Sequence, residues 1–189
     1  MAKSHARHAI LSETPTYDPD KNLRVVIETP RGSPNKYSYD PACDCFELKT
    51  VMPAGMSFPY DFGFIPSTLG EDGDPLDVLV LMDSPVVPGC VLKTRPIGVI
   101  EAEQKEDGGD WLRNDRLVAV AVHSRTHNDA KTLKDLRPHL VDEITSFFVD
   151  YNKLHGKKFK PIGAHGPHRA LALVDEGRAR RQKRGRRST

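Results

Sequence analysis

The chain has 189 residues, 38% of them apolar and 29% charged, which is the balance of a soluble globular protein with one sizeable core. No apolar run approaches the roughly 18 residues that span a bilayer, and the stretch from Met1 to Tyr17 is polar with no apolar signal core, so no membrane partner and a cytoplasmic location are expected. The net charge of +2 is unevenly placed: Arg178 to Arg187 holds seven of the 28 bases and no acid, leaving 21 bases against 26 acids, a body of about −5 that suits divalent cations.

Met1 to Asp20 has no apolar periodicity and contains Pro15 and Pro19, so residues 1–22 are expected to form a flexible arm. Leu23 to Glu28 is strand-like, and Pro30-Arg31-Gly32-Ser33-Pro34 is a turn. Lys36 to Tyr39 reads as a second strand and Phe46-Glu47-Leu48 opens a third. Between them Cys43-Asp44-Cys45 has no second pair to complete a zinc site, and with Cys90 the odd count points to free thiols. Met52 to Pro66 mixes Gly, Pro and aromatics and reads as an irregular loop. Val78 to Met82 and Leu117 to Val122 are continuous apolar runs, hence buried strands, with Cys90 to Leu92 and Ile97 to Ile100 as shorter strands between them. Gln104 to Asn114 reads as a polar loop.

The period then changes. Leu140, Ile144, Phe147, Phe148, Tyr151 and Leu154 recur at helical spacing, with Pro138 near the start and Gly156 near the end. This predicts one long amphipathic helix, preceded by a shorter one near Thr132 to Arg137. From Gly163 the apolar pattern is lost apart from Ala170 to Val174, and residues 176–189 are expected to be a basic, disordered tail able to touch polyanions. Many short strands followed by a helix place the domain, residues 23–175, in the α+β class, mainly β, as a small closed barrel with flanking C-terminal amphipathic helices.

One stretch carries chemistry. In Gly70-Glu71-Asp72-Gly73-Asp74-Pro75-Leu76-Asp77 three aspartates fall at D-x-D-x-x-D directly before an apolar strand. Gly73 permits a turn and Pro75 stiffens it, so Asp72, Asp74 and Asp77 can converge. Ionised carboxylates that close need a cation, and oxygen-only donors select Mg²⁺, or Mn²⁺. An EF-hand would need Gly where Asp77 stands and ligands where the apolar strand runs. A D-x-D phosphatase would need an apolar strand before the first Asp, which Ser67 to Glu71 is not.

The segment Asp72 to Val78 resembles the signature of the soluble family I inorganic pyrophosphatases. Phe58-Pro59-Tyr60-Asp61-Phe62-Gly63-Phe64-Ile65-Pro66, Val25-Val26-Ile27-Glu28-Thr29-Pro30 and Asn35-Lys36-Tyr37 match the same family in order and spacing, so the likeness spans about Leu23 to Phe159. The resemblance implies a five-stranded OB-like barrel, Mg²⁺-dependent hydrolysis of pyrophosphate to two phosphates, and a homo-oligomer, commonly a hexamer in bacteria. It implies Asp72, Asp74 and Asp77 as metal ligands with Asp74 as base for the attacking water, and Glu28 at the edge of the metal site. Lys36 and Tyr151 are implied as phosphate contacts. Two further metal aspartates and a basic residue precede the strand that is Leu117 to Val122 here. Candidates are Asp107, Asp110 and Asp115, of which Asp107 and Asp115 are preferred, with Arg116 as the basic residue. Alignment back from the strand puts Asn114 at one of the ligand positions.

The chain departs from the family where phosphate is gripped. Ser38 replaces a glutamate, Thr50 an arginine, Phe62 a tyrosine and Asn152 a lysine. Those departures keep one alternative open, a related hydrolase of an organic diphosphate or nucleotide, and the basic tail keeps another, a non-catalytic barrel that binds polyanions through it.

Overall fold

The computed structural model describes residues 11–187. Nine strands and two α-helices follow in the order β1 (Leu23–Thr29), β2 (Asn35–Asp40), β3 (Cys45–Val51), β4 (Asp61–Ile65), β5 (Leu76–Leu81), β6 (Val91–Glu106), β7 (Leu112–Arg113), β8 (Arg116–Ala121), α1 (Leu140–Leu154), β9 (Lys157–His165) and α2 (Pro167–Arg187).

Five strands close on themselves. β1 pairs antiparallel with β4, β4 with β5, β5 runs parallel to β8, β8 pairs antiparallel with β6, and β6 returns to β1. The expected five-stranded barrel is thus present, and β2–β3 forms a separate hairpin beside it. Closure is tight at the β1–β4 seam. A Cβ on Gly63 would stand 1.9 Å from the Val26 carbonyl oxygen, so only glycine fits there.

Alternation along β5 explains the layering. Val78 and Val80 face one cluster with Val25, Ile27, Leu117 and Ala119, and Ala170, Leu173 and Val174 of α2 seal it. Leu79 faces the opposite way, into a cluster with Phe58, Phe62, Ile144 and Phe148, so α1 covers the other side. The helix expected from the apolar spacing matches α1, although its last stripe residue, Leu154, remains exposed. The shorter helix expected before it is a single 3₁₀ turn, Leu133–Asp135.

Other expectations need correction. The two short strands expected over 90–100 are one strand of 16 residues, β6, which serves β1, β8, β7 and β9 in turn and absorbs a register shift between Pro96 and Gly98. It runs on into the stretch read as a loop, where β7 pairs with it. β9 carries no apolar alternation because most of its side chains face water; its pairing with β6 holds it. Within the expected arm, residues 1–10 lie outside the described residues. Residues 11–22 pack against the barrel: Thr16 and Asp18 are buried, Asp18 pairs with Lys93 at 2.9 Å, and Tyr17 bridges to Leu23. Residues 176–187, expected to be disordered, continue α2 to Arg187, because Ala170, Leu173 and Val174 anchor the helix on the barrel end and the basic turns propagate from there.

Candidate active site

The aspartate loop folds on itself before β5 begins. Gly70 N donates to the Asp74 carbonyl at 2.6 Å, Asp74 N donates to Asp72 Oδ1 at 3.2 Å, and Gly73 takes φ 94° at the turn. Asp77 is the second residue of β5. Because β8 runs parallel to β5 with Leu117 opposite Val78, Arg116 arrives beside Asp77, and its Nη1 lies 2.6 Å from Asp77 Oδ2. The Arg116 guanidinium lies over Phe148 at 4.8 Å and Phe159 at 5.5 Å, and its buried Nε has no hydrogen-bond partner among the described residues.

Burial pushes the Asp77 carboxyl up to about 6; Arg116 and Lys36 pull it down, while Glu28 and Asp72 push it further up. Burial also raises Asp72 above the usual carboxylate range, and the Asp74 backbone N–H opposes it. Across the site β1 supplies Glu28 and β2 supplies Lys36, paired at 2.9 Å, with Lys36 Nζ 4.3 Å above the Phe62 ring. Glu28 Oε1 accepts Tyr39 N at 2.8 Å, which fixes the carboxylate on the hairpin. From α1, Tyr151 packs between Phe58 and Phe147, and burial raises its phenol.

Glu28, Lys36, Asp74, Asp77, Arg116 and Tyr151, which come from five separate segments, line one open cleft of about 1090 Å³. Asp72 lies behind it, in a recess of about 80 Å³ that Asp77 also lines. The two preferred loop aspartates are not in the cleft. Asp107 sits on the exposed turn after β6, which outruns the site. Asp115 faces the small recess, where Arg113 Nη2 donates to Asp115 Oδ1 at 2.8 Å and Ala102 N donates to the same oxygen at 3.0 Å. Asp115 precedes β8 and shares that recess with Asp72 and Asp77, so it lies behind the cleft rather than in it. Asp110 is likewise exposed. In place of carboxylates the structure offers two amides: Asn114 Nδ2 donates to Gln104 Oε1 at 3.0 Å, and Arg116 Nη1 donates to Asn114 Oδ1.

The family departures also find places. Thr50 Oγ1 lies 3.3 Å from His155 Nε2, and Ser38 Oγ lies 3.5 Å from Glu28 Oε1. Asn152 is buried and turns back to the Phe148 carbonyl at 2.8 Å. None of the three supplies a cation. Missed from the sequence are Arg181 and Arg184, which reach the cleft from α2. The signal was the helical spacing of Ala170, Leu173, Val174 and Gly177.

The aspartate loop presents carboxylate oxygens and no thiol or imidazole, a donor set that fits a hard divalent cation. Its carboxylates are held as neighbours by the loop and strand rather than already clustered. Among the described residues the one trio of ligand atoms within 4.8 Å is Cys43, Cys45 and Glu47, on the outer hairpin.

A family model described as inorganic pyrophosphatase matches residues 25–182. The inorganic pyrophosphatase of Synechocystis is 41% identical over 166 residues, covering 88% of this chain and 95% of that protein. That of Thermus thermophilus is 40% identical over 157 residues, covering 83% and 87%. The crystal structure of inorganic pyrophosphatase from Thermus thermophilus superposes with a TM-score of 0.83 at 36% identity, covering 92% of this chain and 99% of that one.

Proposed function

The chain belongs to the inorganic pyrophosphatase family, and from that premise we propose that its cleft hydrolyses pyrophosphate to two phosphates with a divalent ion, Mg²⁺ before Mn²⁺, held by Asp72, Asp74 and Asp77. The observation that carries the reading is the meeting of the Asp74–Asp77 stretch with Glu28, Lys36, Arg116 and Tyr151, from four other segments of the chain, on one cleft.

A bound divalent ion would screen phosphate charge and acidify a water molecule. The rest falls to the protein. Asp74, on the exposed limb of the loop, accepts the proton of the attacking water. That oxygen bonds to one phosphorus, the bridging P–O bond breaks, and the bridging oxygen leaves with the second phosphate. Lys36, Arg116 and Tyr151 hold the phosphate oxygens, with charge-assisted bonds from the two cations. The Arg116 guanidinium is held in place over Phe148 and Phe159. Asp77 and Glu28 keep the two cations pointed into the cleft through their ion pairs.

Phosphate release from pyrophosphate, with Mg²⁺ and with EDTA, for the parent and Asp74→Asn, tests this. The expected result is Mg²⁺-dependent release that falls by about 10²-fold or more in the variant, the usual scale for a general base. Equal turnover by both proteins removes Asp74 from the role, and nucleotides cleaved faster than pyrophosphate would replace the substrate.

Self-association into a hexamer belongs to the same proposal and rests on the family resemblance; a monomer by sedimentation would remove it. No helix of the described residues is long and apolar enough to cross a membrane, and a cytoplasmic location is proposed.

A further inference from the structure

The basic end of α2 is not a detached tail. Leu69 N donates to the Gly177 carbonyl at 3.1 Å, and Arg180 returns a bond to the Leu69 carbonyl at 3.0 Å. Arg180 also lies 3.6 Å from Glu71, and Arg184 Nη1 reaches the Gly73 carbonyl at 3.5 Å. A Cβ on Gly177 would meet Leu76 Cδ1 at 2.8 Å, so the helix lies directly against the start of β5. It is therefore strapped to the aspartate loop itself.

Two of its arginines, three apart and so on one helix face, line the cleft with Asp74, Lys36 and Tyr151. Arg178 and Arg180 are spent on acids, whereas Arg181 is exposed and has no ion pair among the described residues. The family match ends at residue 182, so the family likeness does not account for Arg184. Inside the cleft Thr50 and Asn152 bring no charge, while Lys49 and Lys157 also line it. The volume, about 1090 Å³, reaches the top of the roughly 300–1,000 Å³ range of sites that bury drug-sized ligands, and two phosphates fill little of it.

We propose that Arg181 and Arg184 contact the terminal phosphate of the substrate and extend the site to phosphoanhydride chains longer than pyrophosphate. The inference rests on the pyrophosphatase reading for the location of the reacting phosphates. The shared chemistry is a chain of three phosphates, whose third group projects beyond Lys36 and Arg116 toward the α2 wall. Planar guanidinium groups suit it, because each gives two parallel N–H bonds to one phosphate.

The test compares the parent with Arg181→Gln/Arg184→Gln and, as a control for charge alone, Lys183→Gln. Lys183 is exposed on the same helix and does not line the cleft. Binding of inorganic tripolyphosphate and of ATP is measured by calorimetry in EDTA, where no metal-dependent turnover occurs, and KM for pyrophosphate and tripolyphosphate is measured with Mg²⁺. The double variant is expected to bind tripolyphosphate on the order of tenfold or more weakly, and its KM to rise more for tripolyphosphate than for pyrophosphate. Lys183→Gln is expected to match the parent. An equal loss for ATP identifies the phosphate chain from either source as the ligand, and a loss confined to tripolyphosphate identifies the inorganic chain. Parent-like binding by the double variant, or an equal loss in Lys183→Gln, overturns the inference and leaves the pyrophosphatase reading standing. A parent that binds tripolyphosphate through these arginines yet releases no phosphate from pyrophosphate overturns the reading instead.

Discussion

Arg116→Met isolates the ion pair at the centre of the site. Arg116 is 4% exposed, pairs with Asp77 and lies over Phe148 and Phe159. Methionine keeps most of the contact with the two rings but leaves Asp77 desolvated beside Glu28 and Asp72, with Lys36 as its remaining nearby cation. Removing one member of a buried pair costs about 3–5 kcal/mol. A quarter of the Asp77 side chain still reaches water, which argues for the lower end, about 3 kcal/mol. For a chain of this length each kcal/mol lowers Tm by about 2–4 °C, so Tm falls by about 6–12 °C. Calorimetric unfolding in EDTA measures it free of metal linkage. The companion is Arg116→Met/Asp77→Leu, which removes both charges; replacing a buried pair by apolar groups is often neutral. It is expected to recover at least half of the lost Tm. A single variant as stable as the parent, or a double variant no better than the single, would refute the view that the cost is a stranded carboxylate.

Gly177→Ala forces a methyl group against Leu76 and Thr68, and overpacking of this kind costs about 1–3 kcal/mol; urea unfolding should show it, with KM for tripolyphosphate rising as α2 is displaced. Asp83 accepts hydrogen bonds from Arg125 N, Thr126 N and Ser124 Oγ, and the two backbone N–H groups foremost hold its carboxyl well below the ordinary 3.8. A depressed carboxyl stabilises the fold above pH 3.8 and loses that contribution as pH falls toward its folded value. Between pH 5.5 and 3 the urea midpoint of Asp83→Asn should therefore fall less than that of the parent, and parallel curves would contradict this. Asn114→Asp puts a carboxylate beside Gln104 and Arg116, and Mn²⁺ titrated by calorimetry should bind several-fold more tightly because ligand charge sets affinity for hard cations; unchanged affinity would count against a metal position at that wall.

Where one force decided local structure, the sequence was legible. The apolar run Val78 to Met82 became β5 because both of its faces are buried, and the stripe from Leu140 became α1 because one face is. β9 was hidden because Lys157–His165 exposes most of its side chains and is held by backbone pairing with β6, which leaves no periodic trace. The aspartates of the D-x-D-x-x-D loop were legible because turn chemistry and charge pointed the same way. Asp115 was hard to place because it precedes β8, where no alternation fixes a side chain; it lines the recess with Asp72 and Asp77 and accepts from Arg113 and Ala102. Arg181 and Arg184 stayed unplaced because a basic run reads as a disordered tail until its apolar anchor, Ala170, Leu173 and Val174, is seen to dock.

The two halves of the site are held differently, and the substitutions follow that division. Glu28, Asp77 and Arg116 project from β1, β5 and β8, strands of the closed barrel whose positions are fixed by pairing on both sides. Three of the four departures from the family's phosphate grip, Ser38, Thr50 and Asn152, lie on β2, β3 and α1, outside the barrel ring. A side chain on the ring cannot change without disturbing a seam or a buried charge, as the Asp77–Arg116 pair shows. One on the outer hairpin or helix can change at little cost to the fold. Phe62 is the exception on the ring, and there the aromatic body is kept, still stacked under Lys36. The Asp77–Arg116 pair is therefore tied to the barrel, whereas Ser38, Thr50 and Asn152 stand on elements beside it. The basic end of α2 lies along the same cleft: Gly177 packs the helix against Leu76 and Thr68, and Arg181 and Arg184 line the cleft from it.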